Sequence, residues 1–422
     1  MLDRLQWESF QYFLGETNPD NGLVADKTQE RWPASIAAIG LALAAYPVGI
    51  ERGFIGREEA ARRIATTLEF LWRSPQGTEP DAAGYNGFFY HFLDMARGRR
   101  VWDCELSTVD TAFLFAGALT AAVYFDWEDE QEERIRRLAH GLYERADWRW
   151  ALNGGTTLTH GWKPESGFLR YRWRGYDEAL LLYALALGSP TSPIPEESYS
   201  AWLSTYRWKE IYGYEFLYAG PLFVHQLSHV WIDFRQIQDA FMREIGIDYF
   251  ENTRRATYVQ REYAIRNPRE FEHYGEHCWG LSASDGPGPA TLRIDGVKRI
   301  FFEYFARGAP YGPDDGTIAP WAVVASLPFA PEIVLPTLRY FIEDLRLEDS
   351  HDYGFKAAFN GTYSKGVGGD GPWISPWIWG LDEGPILLMI ENYRSGLPWE
   401  LTRRCGPVVA GLRRAGFTGG WL

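Results

Sequence analysis

The sequence predicts an all-α fold, an (α/α)6 barrel in which six helical hairpins form a ring, with long loops and a few short strands. Three observations lead there. Apolar residues recur with helical spacing along nearly the whole chain. The periodic stretches alternate between very apolar and strongly charged. Strands do not alternate with helices, which argues against a Rossmann or TIM architecture.

Leu2, Leu5, Phe10 and Phe13 form the core face of an opening helix, with Gly15 near its end. An apolar helix follows at 34–46. Residues 57–72 carry Ala60, Ile64, Leu68, Leu71 and Trp72 on one face, and Arg57, Arg62 and Arg63 on another. Further helices are expected at 108–125, 129–146, 176–188, 196–209, 228–245, 248–266, 317–327, 331–346 and 383–395. Residues 87–91 and 100–103 read as a small hairpin. Counted from the first helix, the inner members of the ring begin near 34, 108, 176, 228, 317 and 383. The runs Thr111–Val123 and Ala179–Leu187 are apolar enough for that position, whereas 128–137 is charged like a solvated face. No low-complexity linker or internal repeat divides residues 1–422, so one catalytic domain is expected rather than a two-domain α-solenoid.

The 422 residues carry a net charge of −14, which disfavours nucleic acid and anionic membrane as partners. A neutral substrate meets no such repulsion. Aromatic residues make up 16% of the chain, with 19 Trp among them, more than core filling alone calls for. Trp, with its apolar face and polar edge, suits a groove that stacks on sugar rings. Three widely spaced cysteines, Cys104, Cys278 and Cys405, give neither a disulfide framework nor a metal-knuckle pattern. No run is long enough to span a membrane. Residues Met1–Phe13 look like an amphipathic helix and not a signal peptide. The sequence as it stands is therefore expected in the cytoplasm, and in the periplasm or outside if an export signal was removed.

Acids open the expected inner helices: Asp110, Asp177–Glu178 and Asp382–Glu383, with Asp233 and Asp314–Asp315 near two further starts. Each taken singly is explained by helix capping. In a ring, however, alternate helices run the same way, so their N-terminal ends surround one cavity mouth. Glycosidic cleavage needs such a meeting of carboxyls, one protonating the leaving oxygen and another acting from the opposite face. Burial and neighbouring carboxylates can raise the pKa of the acid to the working pH. Gly/Pro-rich loops, among them 147–175, 279–296 and 360–383, and their margins carry Trp162, Trp173, Tyr176, Trp279, Trp373 and Trp377, candidates for sugar stacking or for anchoring the loops. Lys163, Arg174 and Arg235 are candidates for sugar hydroxyls or for pairing with the acids. His225/His229 and His273/His277 share helical spacing, but neither pair forms an HExxH arrangement. They read as packed, hydrogen-bonded histidines. No metal and no cofactor is expected.

The stretches WDCELSTVDTAFLFAGAL (102–119), WALNGGTTLTHGWKPESGFL (150–169), GYDEALLLYALALGSPT (175–191), HQLSHVWIDFRQIQDAFMR (225–243), GEHCWGLSASDGPG (275–288), DGTIAPWAVVASLPFAPE (315–332) and GLDEGPILLMIENYRSGLPW (380–399) occur in family order. With them the chain resembles the bacterial glycoamylase-like domain of glycoside hydrolase family 144, the β-1,2-glucanase group, and the related transglycosylase domain of cyclic β-1,2-glucan synthases. The resemblance implies an (α/α)6 barrel and inverting hydrolysis of β-1,2-glucan. It implies Glu178, in G-Y-x-E, as general acid and Asp382, in D-x-G-P, on the base side. It places Asp110, in S-T-x-D, near the cleaved sugar, with Asp285 in the matching 275–288 stretch as a further binding candidate. Asp177 and Glu383 stand where many relatives are expected to carry amides, and add negative charge at the candidate site. The alternatives are a transglycosylase, an α-glucan hydrolase and a non-catalytic glycan-binding protein.

Overall fold

The computed structural model describes residues 1–347 and 353–422. Its helices form the expected ring. The inner helices Ile36–Glu51, Thr108–Tyr124, Leu180–Gly188, Leu222–Gln226, Pro320–Ala325 and Gly380–Arg394 are buried nearly all round. The 36–51 helix packs against both the 108–124 and the 380–394 helices, and 380–394 in turn meets 320–325. Outer helices pack behind them: Leu2–Gly15 on 380–394, Glu130–Glu144 on 108–124, Tyr249–Arg266 on 222–226 and Pro331–Arg339 on 320–325.

Close helix contact has a local cause. A Cβ on Gly40 would strike the Phe113 carbonyl, and one on Gly117 would strike the Gly40 carbonyl. The two inner helices therefore cross backbone to backbone, which only glycine permits.

Serines set where two of these helices begin. Ser35 and Ser107 each end a two-residue strand in extended conformation, and each hydroxyl accepts from a backbone N–H three residues on, 3.4 Å from Ala38 N and 3.3 Å from Asp110 N. The strand Leu106–Ser107 belongs to a small sheet with Gly161–Lys163 and Gly167–Phe168. That sheet ties the long 147–175 loop to the start of the 108–124 helix.

Several expected elements differ. Residues 228–245 are not one helix: a 3-10 turn at Leu227–Val230 is followed by loop, and Ala240–Ile245 starts anew. Asp233 accepts the Arg235 backbone N–H and closes a turn, while Asp239 caps the second helix at Met242 N, 2.8 Å away. The expected 196–209 helix stops at Leu203, and Trp208–Ile211 pairs as a strand with Tyr214–Leu217. The place behind Leu180–Gly188 is taken instead by the C-terminal helix Gly406–Arg414. Gly188 and Gly411 allow that contact, since a Cβ on either would meet the facing backbone of Pro407 or Ala184. The 87–91 segment pairs with Gly84–Tyr85 and not with 100–103. Among the described residues no helix is long and apolar enough to cross a membrane.

Candidate active site

At the N-terminal ends of the inner helices lies a pocket of about 360 Å³, within the range of small-molecule sites. Asp110, Glu178 and Asp382 all line it, as the ring arrangement requires. Asp110 and Asp382 sit in the first turns of their helices, and Glu178 in the turn just before Leu180. Glu105, His91 and His160 add further polar groups. Phe113, Leu169, Trp173, Tyr304 and Trp321 supply apolar walls.

The electrostatics divide the acids. Burial pushes the Glu178 carboxyl up to about 8, and the Asp177 and Asp110 charges push the same way. It is therefore protonated at neutral pH, as a general acid must be. Asp382 is raised well above the carboxylate range by burial and by Glu383, Asp26 and Asp285. Glu105 behaves oppositely: burial pushes it up, but a hydrogen bond and the charge of His91 hold it below its ordinary value. The His91 Nδ1 is 3.0 Å from Glu105 Oε1, and its Nε2 is 3.6 Å from Asp110 Oδ2. Burial alone would lower the imidazole pKa, but Asp110 and Glu105 outweigh it and raise it to about 9. Ser107 donates its hydroxyl proton to Asp110 Oδ2, which fixes that carboxylate further.

Residues 170–406 match the family model described as "Putative glucoamylase". A crystal structure given the same description, from Bacteroides uniformis ATCC 8492, is 33% identical with a TM-score of 0.87, covering 100% of this chain and 98% of that one. The chain belongs to this glycoside hydrolase family. The glycoamylase fold extends to an endo-β-1,2-glucanase from Chitinophaga pinensis, solved with sophorotriose and glucose. It is 28% identical with a TM-score of 0.86, over 100% of this chain and 98% of that one. An exo-β-1,2-glucooligosaccharide sophorohydrolase from Parabacteroides distasonis is 29% identical over 98% of this chain. The chain spans only 57% of the length of that curated relative.

The remaining expected site residues of this glycoamylase-family chain divide by position. Trp173 lines the pocket, its ring stacked on His160 at 3.9 Å between centroids and its Nε1 donating to Thr108 Oγ1 at 2.9 Å. Asp285 and Trp377 are not among the lining residues but neighbour Lys27. Asp285 accepts from Ser375 Oγ at 2.7 Å, and its charge acts on both Asp382 and Lys27. Trp377 lies 5.6 Å from the Lys27 ammonium.

The others are not at the pocket. Asp177 is a structural cap, accepting from Ala179 N and Trp202 Nε1, both at 3.0 Å, and it reaches the site only through its effect on Glu178. Tyr176 packs against His225, Tyr206 and Tyr249. Trp162 packs on Tyr85 and Trp150. Trp279 is buried and donates to Thr337. Arg235 forms a two-pronged ion pair with Asp233 and covers Trp399, with its guanidinium 4.5 Å from the ring. Glu383 is fully buried beside Asp382, away from the pocket surface.

Acids near the other helix starts are absorbed structurally. Asp233 pairs with Arg235 and Arg403, Asp314 accepts from Tyr263 and Tyr274, and Asp315 pairs with Arg307. His225 and His229 are buried and hydrogen-bonded to Ala219 and Thr253, and burial lowers their pKa values to about 4 and about 3.

Sequence reasoning missed His91, Glu105, His160, Tyr304 and Asp26. Glu105 carried a signal, lying inside the matched 102–119 stretch. Tyr304 carried none: it comes from the bend between the strands Val297–Phe301 and Phe305–Ala306. It lines the pocket with Asp110, Glu178 and Asp382, and its ring is about half exposed there.

Proposed function

We propose that this chain hydrolyses a neutral β-1,2-linked glucan with Glu178 as general acid and Asp382 on the base side. One observation carries the reading: Glu178 and Asp382, more than two hundred residues apart in sequence, open onto one aromatic-walled pocket, and Glu178 keeps its proton at neutral pH. The β-1,2 linkage is favoured by two relatives of nearly full coverage of this chain, one named an endo-β-1,2-glucanase and one a β-1,2-glucooligosaccharide sophorohydrolase. In this mechanism Glu178 protonates the leaving glycosidic oxygen, and a carboxylate on the opposite face takes a proton from the attacking water. Hydrophobic walls exclude bulk water and strengthen both interactions.

A second assignment of the base is favoured by the charge distribution. Burial, Glu383, Asp26 and Asp285 all push Asp382 upward and so oppose its ionisation, whereas Glu105 is held below its ordinary value by a hydrogen bond and the charge of His91. Glu105 is then the charged carboxylate already available to accept a proton. Comparing Asp382→Asn with Glu105→Gln decides between them, because loss of the base lowers kcat by about 10²–10⁴-fold.

The whole reading is tested by a product profile across glucans of different linkage. Short products from linear β-1,2-glucan support it. Glucose from starch with no action on β-1,2-glucan, or cyclic or lengthened products, would replace hydrolysis of this linkage with another activity.

A further inference from the structure

Lys27 has an unusual place. Its backbone bridges Trp379 across a short antiparallel contact, and Thr28 N and Gly380 N complete the pairing to Ile378 and Asp26 at 3.0 and 2.9 Å. The residue is 7% exposed. Its ammonium lies 3.9 Å from the Trp32 ring centroid, 4.5 Å from Trp379 and 5.6 Å from Trp377. These rings stabilise a cation through their faces but offer it no lone pair. Among the described residues the ammonium, with three N–H donors, has no hydrogen-bond acceptor and no ion-pair partner within contact distance. The nearby Asp26 and Asp285 charges oppose the lowering of its pKa by burial without binding it directly.

This cage joins the pocket from two sides. Trp379 packs on Tyr304 at 5.2 Å between centroids, and Tyr304 lines the pocket. In the other direction Trp32 meets Trp102 at 4.7 Å, Trp102 meets Phe92 at 5.3 Å, and Phe92 stacks on the pocket residue His91 at 4.0 Å. An aromatic rim with one cation that no protein acceptor holds therefore runs between two pocket residues. What it lacks is hydrogen-bond acceptors set against aromatic faces, which a pyranose supplies through its hydroxyls. An anion is disfavoured, because the Asp285 and Asp26 charges already act on the same ammonium.

We infer that Lys27, caged by Trp32, Trp377 and Trp379, is the hydroxyl-binding donor of a second glucosyl subsite at the pocket rim, holding the sugar next to the one in the pocket. This rests on the glucan reading above, though not on the linkage. A sugar hydroxyl replaces water as acceptor for the ammonium, so Lys27 adds affinity for a chain long enough to reach it.

The test uses the full chain carrying Glu178→Gln, so that oligosaccharides bind without turnover. Calorimetric titration with linear β-1,2-gluco-oligosaccharides, and in parallel with β-1,3- and α-1,4-linked ones, compares this parent with Lys27→Met and Trp377→Ala added singly. Each addition is expected to weaken binding about tenfold or more, with Lys27→Arg restoring part of the loss. If Lys27→Met does not fold, Trp377→Ala with an unaltered melting temperature carries the test alone. Unchanged affinity in the folded variants would overturn the subsite while leaving the pocket reading intact. Weakened binding of a glucan of another linkage, with none of the β-1,2 series, would keep the subsite and overturn the linkage. No binding of any glucan to the parent would overturn both.

Discussion

His91 holds Glu105 by a 3.0 Å contact from Nδ1, and the two residues line the same pocket as Glu178. Glu178 and Asp382 line it too, and burial pushes both upward while His91 holds Glu105 down. Two acids that differ in protonation state within one pocket are what acid–base hydrolysis requires.

His91→Gln removes the charge that keeps Glu105 ionised. The Glu105 pKa then rises, and the acid limb of the kcat/KM profile is expected to move to higher pH. Glu105, Asp110 and Asp26 are the groups that face this imidazole and set its charge. A profile measured from pH 4 to 10 with an unmoved acid limb would show that the His91–Glu105 pair has no part in the reaction.

Stability should fall between about pH 6.5 and 9. The folded-state pKa of His91 is raised to about 9, so its contribution is complete below the unfolded value near 6.5 and is lost as pH rises through 9. Glu178, raised from 4.5 to about 8, adds a decline of the same sign that begins lower, near pH 4.5, and ends near pH 8, because the folded form holds its proton more tightly than the unfolded chain does. Thermal melts across this window should show a steady decline, and His91→Gln should flatten it above about pH 8, where Glu178 has already titrated.

Glu383→Gln should stabilise the fold at pH 8. The carboxyl is fully buried, and burial raises its pKa well above the ordinary range, with Glu8 adding to the effect. Stability from such a group is lost as pH rises above the unfolded carboxyl pKa, whereas an amide has no charge to desolvate. A gain of roughly 1 kcal/mol or more in chemical denaturation is expected, growing with pH.

Arg307→Met should cost about 3–5 kcal/mol, since it leaves the wholly buried Asp315 without its partner. The same guanidinium donates to the carbonyls of Ser284, Phe302 and Glu303, which frame the segment bearing Tyr304. Denaturation curves read the first effect. A raised KM at a temperature where the variant remains folded reads the second.

The architecture was legible because its inner helices are apolar over long runs, as in Thr111–Val123, and because the meeting of Asp110, Glu178 and Asp382 follows from the polarity of a helical ring. Other features arise from contacts that periodicity does not encode. The 228–245 stretch has helical spacing, yet Asp233 and Asp239 redirect its backbone into a turn and a new cap. The Gly406–Arg414 helix is short and only moderately apolar, and what places it is the glycine contact with Leu180–Gly188. Aromatic richness pointed to stacking platforms, but Trp279 and Trp162 satisfy core packing instead. His91, Tyr304 and Lys27 reach the site from strands and loops, where no period marks which side faces the pocket.

The most direct test of the central claim is kcat/KM on linear β-1,2-glucan for the wild type and Glu178→Gln, with melting temperatures confirming that both are folded. The mechanism predicts a fall of about 10²–10⁴-fold together with loss of the alkaline limb near pH 8. Equal activity in the two proteins, or a wild type inactive on this glucan, would contradict it.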